Sequence, residues 1–205
     1  MTHLSQSDES AKTLQRIGSG AIRSSARAMA ALILLFGMVA AAAQQESAEY
    51  EVKAAYLLNF GKFMRHSAAN VRRNTFDICI LGHDPIGRTI DDLAAHESID
   101  NLPVRVTRIA DVTNAKSCAI IYISTSEEEL LREDMAILAG TDVLTVGDSP
   151  AFLRRGGMIQ FVLVSNHVRF AVNLDALNRS HLVLSSELLR VAASVTGKAA
   201  SEGAP

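Results

Sequence analysis

The 205-residue chain has no tryptophan and only two cysteines, Cys79 and Cys118. Their spacing is not Cys-x-x-Cys, which argues against a redox-active dithiol. His66, His83, His96, His167 and His181 stand alone. None pairs with a second ligand at helical or hairpin spacing, so no metal is expected. No Gly-x-Ser-x-Gly elbow, phosphate loop or dinucleotide fingerprint is present, and no cofactor is expected. Gly147-Asp148-Ser149 echoes a hydrolase nucleophile block, with His83, Asp84 or His167 as partners. That block follows the fourth strand instead of opening the fold, and Pro150 follows the serine, so Ser149 reads as a cap for the next turn and no catalytic residue is assigned. Lys and Arg are scattered, without a basic stripe interleaved with aromatics, which excludes an evident nucleic-acid surface.

There is also no apolar run of the about 20 residues that a membrane-spanning helix needs. The longest, Met29 to Ala43, follows a polar segment carrying Lys12, Arg16, Arg23 and Arg27, and ends in four alanines. A basic region, a short apolar core and a small-residue end form a secretory signal peptide, residues 1–43, with cleavage near Ala43 and a periplasmic destination. No cysteine follows the core, which argues against a lipoprotein, and Arg23 and Arg27 are not a twin-arginine pair. Without the leader, 16 basic residues face 20 acidic ones. That balance is ordinary for a soluble domain. In an oxidising compartment an even cysteine count suggests a disulfide; closing a loop of about 39 residues would stabilise the fold by roughly 4 kcal/mol on the chain-entropy model. Two buried free thiols are the alternative.

Residues 44–196 carry the pattern of one domain, with 197–205 a small, polar tail. The spacing of Val52, Tyr56, Phe60 and Phe63 predicts a helix over Glu49–Met64, packed on the domain's own sheet. Short strands are expected at Phe76–Leu81, Pro103–Ile109, Ala119–Ile123 and Val143–Val146. Helices are expected at Ile86–Ala95, from the capping box at Ser124 to Ala139 with Gly140 as its stop, and over Pro150–Arg155. Met158–Val164 and Val168–Leu174 flank a short polar turn and read as a β-hairpin. Helical turns at Asp175–Arg179 and Ser186–Val195 close the chain. Alternating strands and helices imply a three-layer α/β/α sandwich with a mostly parallel sheet and the antiparallel hairpin at one edge.

In such a sheet the strand ends Gly82-His83-Asp84, Ser124-Thr125-Ser126 and Gly147-Asp148-Ser149 line the crevice where ligands bind, although turns and N-caps favour the same residues. Candidates for contact with a partner or a small ligand are therefore Asp84 and Ser149. To these are added Lys53, Asn59 and Lys62 on the outer side of the first helix, and a cluster of Arg154, Arg155 and Arg169 suited to an anion. A solvated face is an equal reading of these residues. A periplasmic small-molecule (anion) binding module is thus one functional class that the sequence admits.

Several blocks, in order, resemble the YfiR family. They are Val52–Phe63 (VKAAYLLNFGKF), Cys79–Gly82 before Asp84–Gly87, Val143–Ser149 (VLTVGDS), Arg155–Ile159, Val168–Leu174 and Leu184–Leu189 (LSSELL). The resemblance implies an exported, non-enzymatic regulator. Proteins of this kind hold an inner-membrane diguanylate cyclase inactive through its periplasmic domain, keeping cyclic-di-GMP low and restraining biofilm formation. Release is linked to redox state or to sequestration by an outer-membrane lipoprotein. Cys79 and Cys118 match a disulfide position of the family, while a second bridge found in YfiR is lacking. Met64-Arg65-His66-Ser67 stands where many relatives carry an acidic residue, Trp and Pro, which implies a different partner specificity. Pairing of two copies of the chain, as a homodimer, stays open.

Overall fold

The structure, a computed structural model, describes residues 47–66 and 74–198. The expected signal peptide lies outside the described residues. Helix α1 (residues 47–63) runs into a short strand β1 (Met64–His66). Then come β2 (Phe76–Leu81), α2 (Arg88–Ala94), β3 (Ser98–Ile99), β4 (Leu102–Ile109), β5 (Ile120–Ile123), α3 (Leu131–Leu138) and β6 (Leu144–Gly147). The hairpin β7 (Ile159–Val164) and β8 (His167–Asn173), α4 (Leu174–Leu177), β9 (Leu182–Leu184), α5 (Ser186–Val191) and β10 (Ser194–Thr196) complete the chain.

Eight strands form one sheet in the order β10-β8-β7-β6-β5-β2-β4-β3. The run β4, β2, β5, β6 and β7 is parallel, β7 and β8 are antiparallel, and β1 and β9 form a separate antiparallel pair. The expected α/β class with a mostly parallel sheet is what the chain adopts. Side chains alternate along the central strands, as a pleat requires. Ile120 and Tyr122 of β5 enter the core beneath α1, α2 and α5, while Ile121 and Ile123 enter a second core with Leu131, Met135 and Leu138 of α3. Both faces of the sheet are covered, which is why these strands read as continuous apolar runs.

Several element boundaries differ from the sequence reading. The helix expected from Ser124 to Ala139 is broken: a 3₁₀ turn at Thr125–Glu127 precedes α3, which begins only at Leu131. The Arg155 guanidinium donates to the Glu128 carbonyl, the group that would accept the next helical hydrogen bond. The last helix ends at Val191, not Val195. Ala193 N–H instead donates to Phe170 O, and residues 194–196 add β10 in parallel beside β8. The hairpin consequently sits one strand in from the sheet edge. Ser165 and Asn166 at its turn both have positive φ, the conformation that matches the strands' twist. Gly197 and Lys198, placed in the tail by composition, border a hydrogen bond from Lys198 N–H to Asp175 Oδ1; residues 199–205 lie outside the described residues.

Cys79 of β2 and Cys118, just before the neighbouring β5, form a disulfide with Cα atoms 5.9 Å apart. Both are buried in the second core, where the Phe152 ring also lies wedged against Gly147 and Gly157. Gly156 takes φ +101° to turn the chain out of the preceding 3₁₀ turn (Leu153–Arg155), and Gly157 leaves room for that ring.

Candidate functional site

Helix α1 buries the stripe Lys53, Leu57 and Phe60, at spacings of four and three, with Ala54, Leu58 and Gly61 beside it, and Met64 continues the buried line at the start of β1. The helix is rotated relative to the face expected from sequence: Val52 and Phe63, expected on the apolar stripe, are both exposed. Lys53, assigned to the outer side, is only 4% exposed. Phe60 anchors the helix by stacking on Phe161 of β7 and meeting Phe170 of β8 edge-on, at centroid distances of 5.9 and 5.0 Å. The first turns of α1 lie over the carboxyl ends of β5 and β6, where Lys53 reaches Asp148.

There Lys53 Nζ donates to Asp148 Oδ2 at 2.9 Å and lies 2.7 Å from Glu49 Oε1, one turn earlier. It also sits 4.5 Å from the centre of the Tyr50 ring and 5.9 Å from that of Phe161. Such contacts favour a desolvated cation. Tyr122 Oη, fully buried at the end of β5, donates to the same Asp148 oxygen at 2.7 Å. Burial alone would lower the Lys53 pKa, but its bonds to Asp148 and Glu49 outweigh that and hold it above the ordinary lysine value. Burial, then the Asp148 charge, pushes the Tyr122 phenol well above its usual range, so it remains a donor. Asp148 Oδ1 is buried with no hydrogen-bond partner among the described residues.

Above this ion pair opens a cleft of about 360 Å³, lined by Glu49, Tyr50, Thr125, Pro150 and the β7 segment Gln160–Leu163. Two of the three expected strand ends, at Thr125 and Asp148, meet in it. The third does not line it. Asp84 Oδ1 accepts the N–H groups of Ile86 and Gly87, and Oδ2 is bound by Arg108, so both oxygens serve the turn into α2. Ser149 accepts from Ala151 N–H, as a turn cap should, and donates to Glu128. Asn59 is exposed on α1, and Lys62 is half-exposed and paired with Glu97 at 2.9 Å.

The three arginines expected to cluster engage separate elements. Arg154 donates to Pro150 O, Arg155 pairs with Glu128, and Arg169 donates to Val191 O. Tyr122 and Asp148 were not singled out as site residues in the sequence. One readable signal existed, since Lys53 occupies an apolar-stripe position of α1 and a lysine there demands a buried acid.

The YfiR/HmsC-like family model matches residues 50–193. This chain belongs to the YfiR/HmsC-like family. The match contains Lys53, Tyr122, Asp148 and the disulfide, so the family segment includes the buried ion pair and both cores. Among curated proteins, none matches the chain. Membership in the YfiR/HmsC-like family supports, at family level, a regulator of cyclic-di-GMP signalling. No described helix is long and apolar enough to cross a membrane.

Proposed function

We propose that the chain is an exported, non-enzymatic repressor that docks on the periplasmic domain of an inner-membrane diguanylate cyclase and so lowers cyclic-di-GMP. The observation that carries this reading is the family match over residues 50–193, which takes in every residue lining the cleft except Glu49. The cleft's physical character supports it. Its rim continues into Leu163, 58% exposed, and Val164, 47% exposed, at the tip of β7. An apolar rim beside charged Glu49 and the buried Lys53–Asp148 pair is the pattern of a docking surface. An outer-membrane lipoprotein competing for this repressor is the corresponding route of release. Residues 1–43 act as the signal peptide that delivers it.

The test is cyclic-di-GMP in a deletion strain, complemented with the whole chain or with a version lacking residues 1–43. A rise reversed only by the exported form is expected. An unchanged level after deletion overturns the repressor reading.

A further inference from the structure

On the α3 side of the sheet lies a second cavity, of about 240 Å³, between α3, β6, the 3₁₀ turn at Leu153–Arg155 and α4. Its apolar wall joins the two hydrophobic cores: Met135 and Leu138 belong to one, Met158 and Ala176 to the other. Arg132, Arg155 and Arg179 line it, the first and last as exposed residues, and among the described residues neither Asp nor Glu does. Arg155 is partly neutralised by Glu128, 3.4 Å away. Arg132 and Arg179 have no ion-pair partner among the described residues.

Thr145 in β6 is an independent pointer. It is 2% exposed, lines the cavity, and its hydroxyl oxygen accepts from Met158 N–H at 3.0 Å. Its hydroxyl proton has no acceptor among the described residues. A buried hydroxyl normally donates, so a ligand oxygen would complete it. An anion placed among these cationic side chains would be attracted by them. Guanidinium groups match the planar geometry of a carboxylate. The apolar wall favours an anion with a hydrocarbon body over a fully hydrated inorganic ion.

We propose that this cavity binds a small organic carboxylate, its charge held by Arg132, Arg155 and Arg179 and its apolar body resting on Met135 and Met158. The site is distinct from the Lys53–Asp148 cleft and does not depend on the repressor reading. It draws only Arg155 from the arginines proposed on sequence grounds, with Arg132 and Arg179 supplied by α3 and the end of α4.

Calorimetric titration of the purified protein with sodium hexanoate and sodium benzoate, at fixed ionic strength, tests it. Sodium phosphate and hexanol serve as controls for charge alone and apolar body alone. Saturable binding of at least one carboxylate is expected. Arg132→Gln and Arg179→Gln should each weaken it by about tenfold, the usual cost of a lost charged hydrogen bond. Arg154→Gln, whose side chain lies outside the cavity, should leave it unchanged. Thermal unfolding of each variant shows that the fold is retained. No saturable binding of either carboxylate, or equal affinity in both cavity variants, overturns the proposal. So does phosphate or hexanol binding as tightly as the acids.

Discussion

Lys53 and Asp148, 95 positions apart, meet through a 2.9 Å hydrogen bond that ties the first turns of α1 to the end of β6. Both side chains are at least nine-tenths buried. An ion pair so placed contributes little net stability compared with apolar residues, but removing one partner strands the other. Lys53→Met should therefore destabilise the fold by about 3–5 kcal/mol. Asp148→Asn, which retains an acceptor for Tyr122, should cost less. The double variant should be more stable than the sum of the single losses implies. Urea unfolding of all four proteins closes the cycle, and strict additivity would mean that the pair is not coupled.

Periodicity carried the architecture but not the helix rotation. β2, β5 and β6 were readable because parallel strands covered on both faces leave unbroken apolar runs. α1 was readable as a helix, yet its buried face was misplaced, because a lysine occupies a core position and Val52 and Phe63 are apolar residues left in solvent. The break before α3 was invisible for a different reason. It depends on Arg155 reaching the Glu128 carbonyl, a contact between residues 27 positions apart. β10 likewise rests on pairing with β8, a contact between residues over 20 positions apart. Of the site, the strand ends were legible as a set; which of them line the cleft depends on the meeting of Lys53 and Asp148, a contact 95 positions apart.

The disulfide offers a second test. Cys79 and Cys118 are almost wholly buried and bonded, so alkylating reagents should leave the native protein's mass unchanged until it is unfolded and reduced. Replacing both by alanine should lower unfolding free energy by about 4 kcal/mol, from the loop entropy restored to the unfolded chain plus any loss of packing. Labelling of both thiols in the native, unreduced protein would contradict the bridge.

Asp134 of α3 should make stability depend on pH in a direction opposite to that of most paired carboxylates. It is buried, and among the described residues its Oδ2 has no hydrogen-bond partner and no cation pairs with it. Burial, then the nearby charges of Glu127, Asp111 and Glu133, raises its pKa above the ordinary value of 3.8. The native state thus holds this proton more tightly than the unfolded chain does. Its contribution is most favourable below 3.8, declines as pH rises through the window between the unfolded and folded values, and stays lost above it. Asp134→Asn should accordingly be more stable than the parent at pH 7 by about 1–2 kcal/mol. The two should converge as pH falls into the carboxylate range. Parallel stability curves with a constant offset would show that ionisation of Asp134 is not the cause.

Leu163 separates docking from folding. It is 58% exposed at the rim of the Lys53–Asp148 cleft, so Leu163→Glu removes little buried area. Substitutions at such surface positions shift stability by no more than about 0.5 kcal/mol. If the rim is where the cyclase domain sits, a glutamate there places an unpaired charge in an apolar contact, at a cost of about 2 kcal/mol or more. Cells carrying this variant should then show cyclic-di-GMP near the level of the deletion strain, while the purified variant unfolds at the parent's temperature. Val191→Glu, on the exposed side of α5 and outside the cleft lining, is the matching control and should repress normally. Full repression by Leu163→Glu would remove the rim from the interface. Loss in both variants would point instead to a general sensitivity of the surface to added negative charge.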